Sequence, residues 1–197
     1  LRVEGPSREF DEPVLRLKDP DGIIVKLVGT DTPDAGWPAP PSRIRAVTLW
    51  SDTAEMTIGF LTRFGYRPGP VQGGVARLLS DTDAVDIRDT TGFVPGIPGT
   101  GVIDHIAFRA PDGDVLEDWR QQLQARNAGG VTVHDRKYFT SLYVREPGGV
   151  LIELATDGPG MGVDEDAADL GRTLMVPPHF DDSGDLRVRL PQFARPG

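Results

Sequence analysis

Hydrophobic and polar positions alternate in the same order at two places far apart in the chain. The stretch VLRLKDPDGIIVKLVGTD (residues 14–31) and the stretch LYVREPGGVLIELATDG (residues 142–158) each predict two strands around a glycine-containing turn. When they are aligned on Gly22 and Gly149, hydrophobic residues match along both strands. The sequence therefore predicts an internal repeat in which a β-hairpin closes each copy.

The copies differ at one position in the middle of the last strand, where Glu153 of the later copy faces Lys26 of the earlier one. Two strands that open units, RAVTLW and DHIAFR, also match, and we expect His105 to fall opposite Val47. The later unit thus carries a histidine and a glutamate where its neighbours carry valine and lysine. This asymmetry separates residues of a shared scaffold from candidates for a site.

The first complete unit begins with a strand from Arg45 to Trp50. Asp52 is expected to cap the following helix, with Glu55 completing a capping-box pattern, and Gly65 to end it. One apolar face of this helix is predicted to consist of Ala54, Ile58, Leu61 and Phe64. Two short strands follow, predicted near Val75 to Leu79 and Ala84 to Arg88.

The second unit repeats this order with a strand from His105 to Arg109 and a helix from Asp114 to Arg126. The inward side of this helix is predicted to consist of Val115, Leu116, Trp119 and Leu123. Its strands are predicted at Val131 to His134, Ser141 to Arg145 and Val150 to Ala155. We interpret both units as βαβββ, although only two strands after the helix of the first unit are placed, and the first hairpin, Glu12 to Val28, is half of such a unit.

Composition narrows the classes of function. The 197 residues are 38% hydrophobic, carry a net charge of −9 and include no cysteine. Nucleic-acid binding needs clustered Lys and Arg, so we expect no nucleic-acid partner. Without a long apolar run or a leader segment we expect no membrane partner and a cytoplasmic location. Because a half-repeat cannot bury its apolar face, we expect this chain to be the C-terminal part of a longer protein, and its exposed sheet edges to favour a homo-oligomer.

His105 and Glu153 are the candidate metal ligands. Two histidines and one carboxylate are the ligand set of non-haem Fe(II) oxygenases, and two of the three types occur here. A histidine alone is more often hydrogen-bonded in a core, whereas a carboxylate flanked by Ile152 and Leu154 is rarely buried unless paired or metal-bound. Strand alternation also leaves open that Glu153 lies on a solvated face.

The hairpin adds Tyr143, which lies opposite Glu153 if the turn at Pro147–Gly149 has three residues. A slip of one residue would place Tyr143 on the other face, and core packing explains the tyrosine equally well. Arg136 could clamp an anionic oxygen, although spacing alone favours a surface charge. His134 and His179 are expected to be exposed rather than ligating.

The βαβββ repeat, GTGVIDHIAFRAPD, DRKYFTSLYVREPGGVLIELATDGPG and GRTLMVPPHF together resemble the C-terminal half of ring-cleaving, hydroquinone-type dioxygenases of the vicinal oxygen chelate superfamily. The resemblance implies Fe(II) as the cofactor, with Mn, Zn or Ni as alternatives, and a small aromatic compound and O2 as substrates. It places metal ligands at His105 and Glu153 and catalytic roles at Arg136 and Tyr143. A third ligand, a histidine of the first module, has no counterpart here, and Asp104 stands where the family often has histidine.

The resemblance also implies the fold class. We expect an α+β protein of paired βαβββ modules, which form cup-shaped half-barrel sheets with flanking helices. The expected segments are the end of a preceding module (1–30), a Pro-rich linker (31–44), a module without ligands (45–94), a module that carries metal ligands (95–160) and a C-terminal extension (161–197).

Two alternatives to an Fe(II) dioxygenase remain at this point. A glyoxalase-like isomerase or hydrolase would use the same scaffold and a metal without O2. A non-enzymatic module would bind a small aromatic ligand and hold no stoichiometric metal. The expected activity belongs to the degradation of aromatic compounds, and activity of this chain by itself is not implied.

Overall fold

Eleven strands and two α-helices make up the part of the chain that the computed structural model describes, which is residues 2–29, 43–94, 96–97, 99–126 and 130–175. The strands are β1 Arg2–Glu9, β2 Glu12–Lys18, β3 Ile24–Val28, β4 Ala46–Ser51, β5 Arg67–Gln72, β6 Val75–Leu79, β7 Ala84–Asp89, β8 His105–Ala110, β9 Thr132–Asp135, β10 Phe139–Arg145 and β11 Leu151–Pro159. The helices are α1 Ala54–Leu61 and α2 Gly113–Ala125. The linker at 31–42, His179 and most of the C-terminal extension lie outside the described residues.

Three open sheets contain these strands, in the orders β1-β2-β3, β4-β7-β6-β5 and β8-β11-β10-β9. The four-stranded sheets each carry one helix between their first two strands in sequence, so both have the predicted order βαβββ. In the middle sheet β4 and β7 are parallel and the other pairs are antiparallel. The α+β expectation is thus confirmed.

The chain forms two compact units. One consists of residues 1–105 and 145–151, and the other of residues 106–144 and 152–197. The described helices include none that is both long and apolar enough to cross a membrane.

Two strands that the alternation did not predict lie at sheet edges. β1 contains Gly5 and Pro6, and β5 contains Pro68, Gly69 and Pro70. Proline cannot donate a ladder hydrogen bond and is therefore confined to edge strands or bulges. Both strands are edges of their sheets, and the register of each shifts close to its prolines.

Helix α1 differs from the prediction at its start and on its buried face. Thr53, and not Asp52, is the N-cap, and no side chain caps the helix. The buried residues are Thr57, Phe60 and Leu61, so only Leu61 of the predicted apolar face is fully buried. The end is as predicted, because a short 3₁₀ turn, Thr62–Phe64, stops at Gly65 with φ +88°.

Helix α2 begins one residue earlier than predicted and is capped by Asp112, whose carboxylate accepts a hydrogen bond from the Val115 amide at 2.9 Å. Leu116 and Leu123 are buried, whereas Val115 and Trp119 are half-buried.

The strand alignment also needs a correction. β4 begins at Ala46 and β8 at His105, which makes Ala46, and not Val47, the counterpart of His105.

The first sheet exposes an apolar face that the other two sheets bury. Leu15 pairs with Leu27, and Leu17 pairs with Val25 and Val3. Four of these five side chains are between 37% and 56% exposed. At the corresponding positions of the other hairpins, the exposed fraction is at most 1%, as seen for Leu78, Val85, Ile87, Leu142, Val144, Ile152 and Leu154.

Candidate metal centre

The four predicted site residues all belong to the sheet β8-β11-β10-β9 or its turns. His105 is the first residue of β8, and Glu153 is the third residue of β11, its hydrogen-bonded neighbour. Tyr143 lies on β10, next to β11, and Arg136 directly follows β9. The sheet order therefore brings the predicted residues onto neighbouring strands although they are up to 48 positions apart in sequence.

Glu153 is a buried carboxylate on an apolar strand. Its exposed fraction is 5%, and its neighbours Ile152 and Leu154 have none. Tyr143 donates a hydrogen bond from its hydroxyl to Glu153 Oε1 at 2.8 Å. The hairpin register that the turn predicted is therefore confirmed for this pair, and Glu153 does not lie on a solvated face.

Arg136 and His134 lie against Tyr143 from the side of β9. The Arg136 guanidinium makes a long hydrogen bond of 3.4 Å to the Tyr143 hydroxyl and lies 5.5 Å from the centre of its ring. The His134 ring meets the Tyr143 ring edge-on, with centroids 5.6 Å apart. His134 is exposed, as expected. Its contact with Tyr143 depends on the register of β9 and β10, in which His134 faces Ser141, two residues before Tyr143, and the sequence did not predict this register.

His105 has a carboxylate partner from the preceding residue. Its Nδ1 lies 2.8 Å from Asp104 Oδ2. An ionised carboxylate only accepts hydrogen bonds, so a hydrogen bond at this contact requires a proton on Nδ1. For a neutral imidazole the ring lone pair then belongs to Nε2, the nitrogen through which a histidine in this form can ligate a metal.

The corresponding position in the middle sheet is also acidic, which the sequence analysis overlooked. Asp86 is the third residue of β7, as Glu153 is of β11, and it faces Arg77 of β6. Arg77 donates from Nε and a terminal nitrogen to the two carboxylate oxygens of Asp86 at 2.7 and 2.9 Å. A guanidinium therefore occupies the place beside this acid that the Tyr143 hydroxyl takes beside Glu153.

A larger ion network surrounds Arg77. Its other terminal nitrogen donates to Glu12 Oε2 at 2.6 Å, and Arg45 donates to Glu12 Oε1 at 2.8 Å. Burial raises the pKa of Glu12, but the hydrogen bonds from Arg77 and Arg45 outweigh it and hold this pKa below its ordinary value. The hydrogen bonds that Arg77 donates to Asp86 and Glu12 raise its pKa, against the opposing effect of its burial.

The donor set of the last module suits a divalent transition metal in kind. Imidazole nitrogen and carboxylate oxygen are the ligands that such ions accept, and the two candidates are a buried Glu153 and a His105 oriented by Asp104. Within the described ranges, no group of three or more His, Cys, Asp or Glu side chains comes together. The metal-ligand roles of His105 and Glu153 therefore stay predictions.

The turn between β10 and β11 is held by a second buried acid, Glu146, which is 2% exposed. Its carboxylate accepts hydrogen bonds from the Thr57 hydroxyl at 2.6 Å and from the amides of Gly148 and Val150, both at 2.9 Å. Asp19 makes the same local bond in the first hairpin, where it accepts from the Ile23 amide at 2.7 Å. The signal in the sequence is the acid-Pro-X-Gly turn that both hairpins share.

Comparison with known proteins gave two informative relatives, while no protein-family profile matches the chain. A Bacillus subtilis (strain 168) protein named "Putative ring-cleaving dioxygenase MhqO" is 31% identical over an alignment length of 183, and the match covers 87% of this chain and 59% of MhqO. The chlorohydroquinone/hydroquinone 1,2-dioxygenase of Sphingobium indicum is 34% identical over an alignment length of 213, and the match covers 96% of this chain and 64% of that enzyme. The chain therefore spans less than two thirds of either relative.

Among solved structures, the crystal structure of a "putative dioxygenase" from Bacillus subtilis subsp. subtilis str. 168 superposes with a TM-score of 0.82 at 27% identity. The match covers 98% of this chain and 67% of the other. The fold described above is thus shared with about two thirds of an experimental structure.

Proposed function

We propose that the native protein of this chain cleaves a hydroquinone- or catechol-like ring with O2, since its relatives are named ring-cleaving dioxygenases, and that it belongs to the superfamily its sequence resembles, glyoxalase/bleomycin resistance/dioxygenase, also called vicinal oxygen chelate. We propose that this activity depends on iron. We further propose a cytoplasmic protein whose partners are the aromatic substrate and O2.

The observation that carries the proposal is the buried pair of Glu153 and Tyr143. A carboxylate that is 5% exposed on an apolar strand is costly unless it is paired or bound to a metal. Its counterpart Asp86 has a guanidinium partner, whereas Glu153 accepts from a neutral hydroxyl at 2.8 Å. The acid of this module thus lies beside a tyrosine hydroxyl where the middle module has an arginine, and we propose that it binds a metal cation.

We assign His105 and Glu153 as the metal ligands that this chain supplies and Fe(II) as the preferred ion, with Mn, Zn and Ni as the alternatives. When bound, Fe(II) would supply adjacent coordination positions for the ring hydroxyl and O2, and the redox capacity to join them. A second histidine is needed to complete the set, and we propose that it lies in a part of the native protein outside this chain.

Tyr143 is proposed to move the proton. Its hydroxyl hydrogen-bonds Glu153 and lies near the Arg136 guanidinium, so it can donate to, or accept from, a substrate oxygen beside the carboxylate. The guanidinium of Arg136 is proposed to stabilise negative charge that develops on that oxygen. Because Arg136 is exposed, it can also meet an anionic substrate before the ring is bound.

The test combines metal analysis with oxygen consumption. The native full-length protein is loaded with Fe(II) without air, its iron is counted, and O2 uptake is followed with hydroquinone and with catechol. We expect about one iron per chain and uptake that depends on the aromatic compound. His105→Ala and Glu153→Ala should each lose iron and lower uptake at least 100-fold.

Asp86→Asn is the matched control, because it changes the acid at the corresponding strand position of the other module. It should keep iron and oxygen uptake while lowering stability. Metal binding with isomerase activity and no O2 uptake would instead establish a glyoxalase-like enzyme. Absence of bound metal in the native protein would sink both metalloenzyme functions.

A further inference from the structure

Asp104 is the feature of the candidate site that the proposed function does not use. It precedes β8, its side chain is 81% exposed, and its Oδ2 lies 2.8 Å from Nδ1 of His105. Such a contact between neighbouring residues costs little chain entropy, since the backbone already holds both side chains close together.

We infer that Asp104 is a positioning residue, which holds the proton of His105 on Nδ1 and thereby directs Nε2 to the metal. The carboxylate can only accept, so it selects the Nδ1-protonated form of the imidazole. Hydrogen bonds of this kind also fix the ring plane and raise the basicity of the ligating nitrogen. This inference rests on the proposed role of His105 as a metal ligand.

The contact differs from an ordinary surface ion pair in its consequence, even though it is exposed. Exposed pairs contribute little to stability, so we expect almost no change in unfolding free energy when Asp104 is replaced. Loss of an outer partner of a metal-bound histidine, in contrast, typically lowers metal affinity 10- to 100-fold. The high exposure of Asp104 places the expected loss near the lower figure.

The first readout needs no metal. In 15N-labelled chain, the nitrogen resonances of His105 report which ring nitrogen carries the proton, with His105→Ala used for assignment. The parent chain should have His105 mainly protonated at Nδ1. Asp104→Ala should shift the population toward protonation at Nε2, and Asp104→Asn, whose amide oxygen still accepts but lacks charge, should fall between them.

The second readout is metal affinity of the native full-length protein, measured for Fe(II) without air and for Mn(II) by competition with a chelating dye. Asp104→Ala should weaken both about 10-fold, and Asp104→Asn less. The matched control is Asp81→Asn, which removes an equally exposed carboxylate that pairs with Arg67 at 2.7 Å. It should leave both the His105 resonances and the affinity unchanged.

The outcomes separate this inference from the proposed function. If His105→Ala leaves metal affinity intact, the ligand assignment fails, and the role of Asp104 fails with it. If His105→Ala abolishes binding while Asp104→Ala changes neither the tautomer of His105 nor the affinity, the ligand assignment stands and this inference is overturned. A tautomer shift together with weaker metal binding supports the positioning role.

Discussion

At the scale of single residues, the Tyr143 hydroxyl is expected to contribute both to the stability of the fold and to the proposed reaction. It donates to the buried Glu153 carboxylate, and hydrogen bonds to charged groups contribute about 1.5–3 kcal/mol. Tyr143→Phe should lower the free energy of unfolding by roughly 2 kcal/mol. Urea denaturation measures this loss, and oxygen uptake of the native protein should fall at least 100-fold.

Tyr66→Phe serves as the comparison, because the Tyr66 hydroxyl donates to Asp83 at 2.6 Å in the other module. Burial, with the neighbouring Asp83, raises the pKa of Tyr66 well above its ordinary value. This variant should lose stability and keep oxygen uptake. If both variants lost uptake in proportion to stability, the catalytic role of Tyr143 would be wrong.

The sequence predicted that Tyr143 and Glu153 lie side by side, but it did not predict that the matching position of the middle sheet also carries an acid. The register that places Tyr143 beside Glu153 followed from the turn length, because strand pairing has a period of two. Asp86 was not predicted as a counterpart of Glu153, because within its own strand it looks like an ordinary polar residue. Its pairing with Arg77 is a cross-strand contact, which spacing within one strand does not reveal.

At the scale of elements, the β10–β11 turn depends on close packing around Gly148. A Cβ at this position would lie 2.6 Å from Ser51 Oγ and 2.8 Å from Glu146 Oε1. Gly148→Ala should therefore lower unfolding free energy by about 1–3 kcal/mol. Gly162→Ala is the control, because no atom lies within 4 Å of the added Cβ, and it should change stability by less than about 0.5 kcal/mol.

Strands β6 and β7 are joined by an ion pair whose halves should not be removed singly. Arg77 and Asp86 are 6% and 4% exposed, so truncating either leaves a buried charge without its main partner. Arg77→Met should cost about 3–5 kcal/mol in thermal or urea unfolding. The double variant Arg77→Met with Asp86→Leu should recover much of that loss, and additive losses would contradict this account.

Glu12 makes this network sensitive to acid. Its folded-state pKa is lower than its ordinary value of 4.5, so the folded chain binds this proton more weakly than the unfolded chain does. The contribution of Glu12 is present above that ordinary value and is lost as the pH falls through the lower folded-state pKa. Urea denaturation at a series of pH values should give a steeper loss below about pH 5 for the parent than for Glu12→Gln.

Element types were predictable where apolar periodicity was strong, and errors arose where other forces decided. Edge strands β1 and β5 carry prolines that a central strand could not accommodate, so the alternation missed them. Thr57 lies on the buried face of α1 because its hydroxyl bonds the Glu146 carboxylate, a tertiary contact with no local signal. Hydrophobic periodicity alone placed Ile58 there instead.

At the scale of the whole molecule, the exposed face of the β1-β2-β3 sheet is where self-association is expected. This follows the prediction of a homo-oligomer, and the face contains Leu15 and Val25, which are 37% and 44% exposed. Light scattering should give a mass above 21.3 kDa that rises with concentration. Val25→Lys should return the chain to a monomer, and a parent that is monomeric at all concentrations would refute the expectation.

The architecture was predictable as a whole because its modules repeat. Two βαβββ units with matching strand order confirm each other, as no single strand could. The expected segment boundaries remain predictions, and the linker and the end of the chain lie outside the described residues. A repeated module can be recognised because its copies match one another, whereas a segment without a second copy offers no such internal check.

The pair of Asp86 with Arg77 bears on how such proteins change over evolution and in the laboratory. Both four-stranded sheets keep an acid at the same place, and what differs is the residue on the adjoining strand. In a duplicated scaffold, an arginine on the neighbouring strand can neutralise the acid of one copy while the strand that carries the acid is kept. Replacing Arg77 by tyrosine and Ala46, the counterpart of His105, by histidine is a starting point for asking whether the middle module can be made to bind a metal.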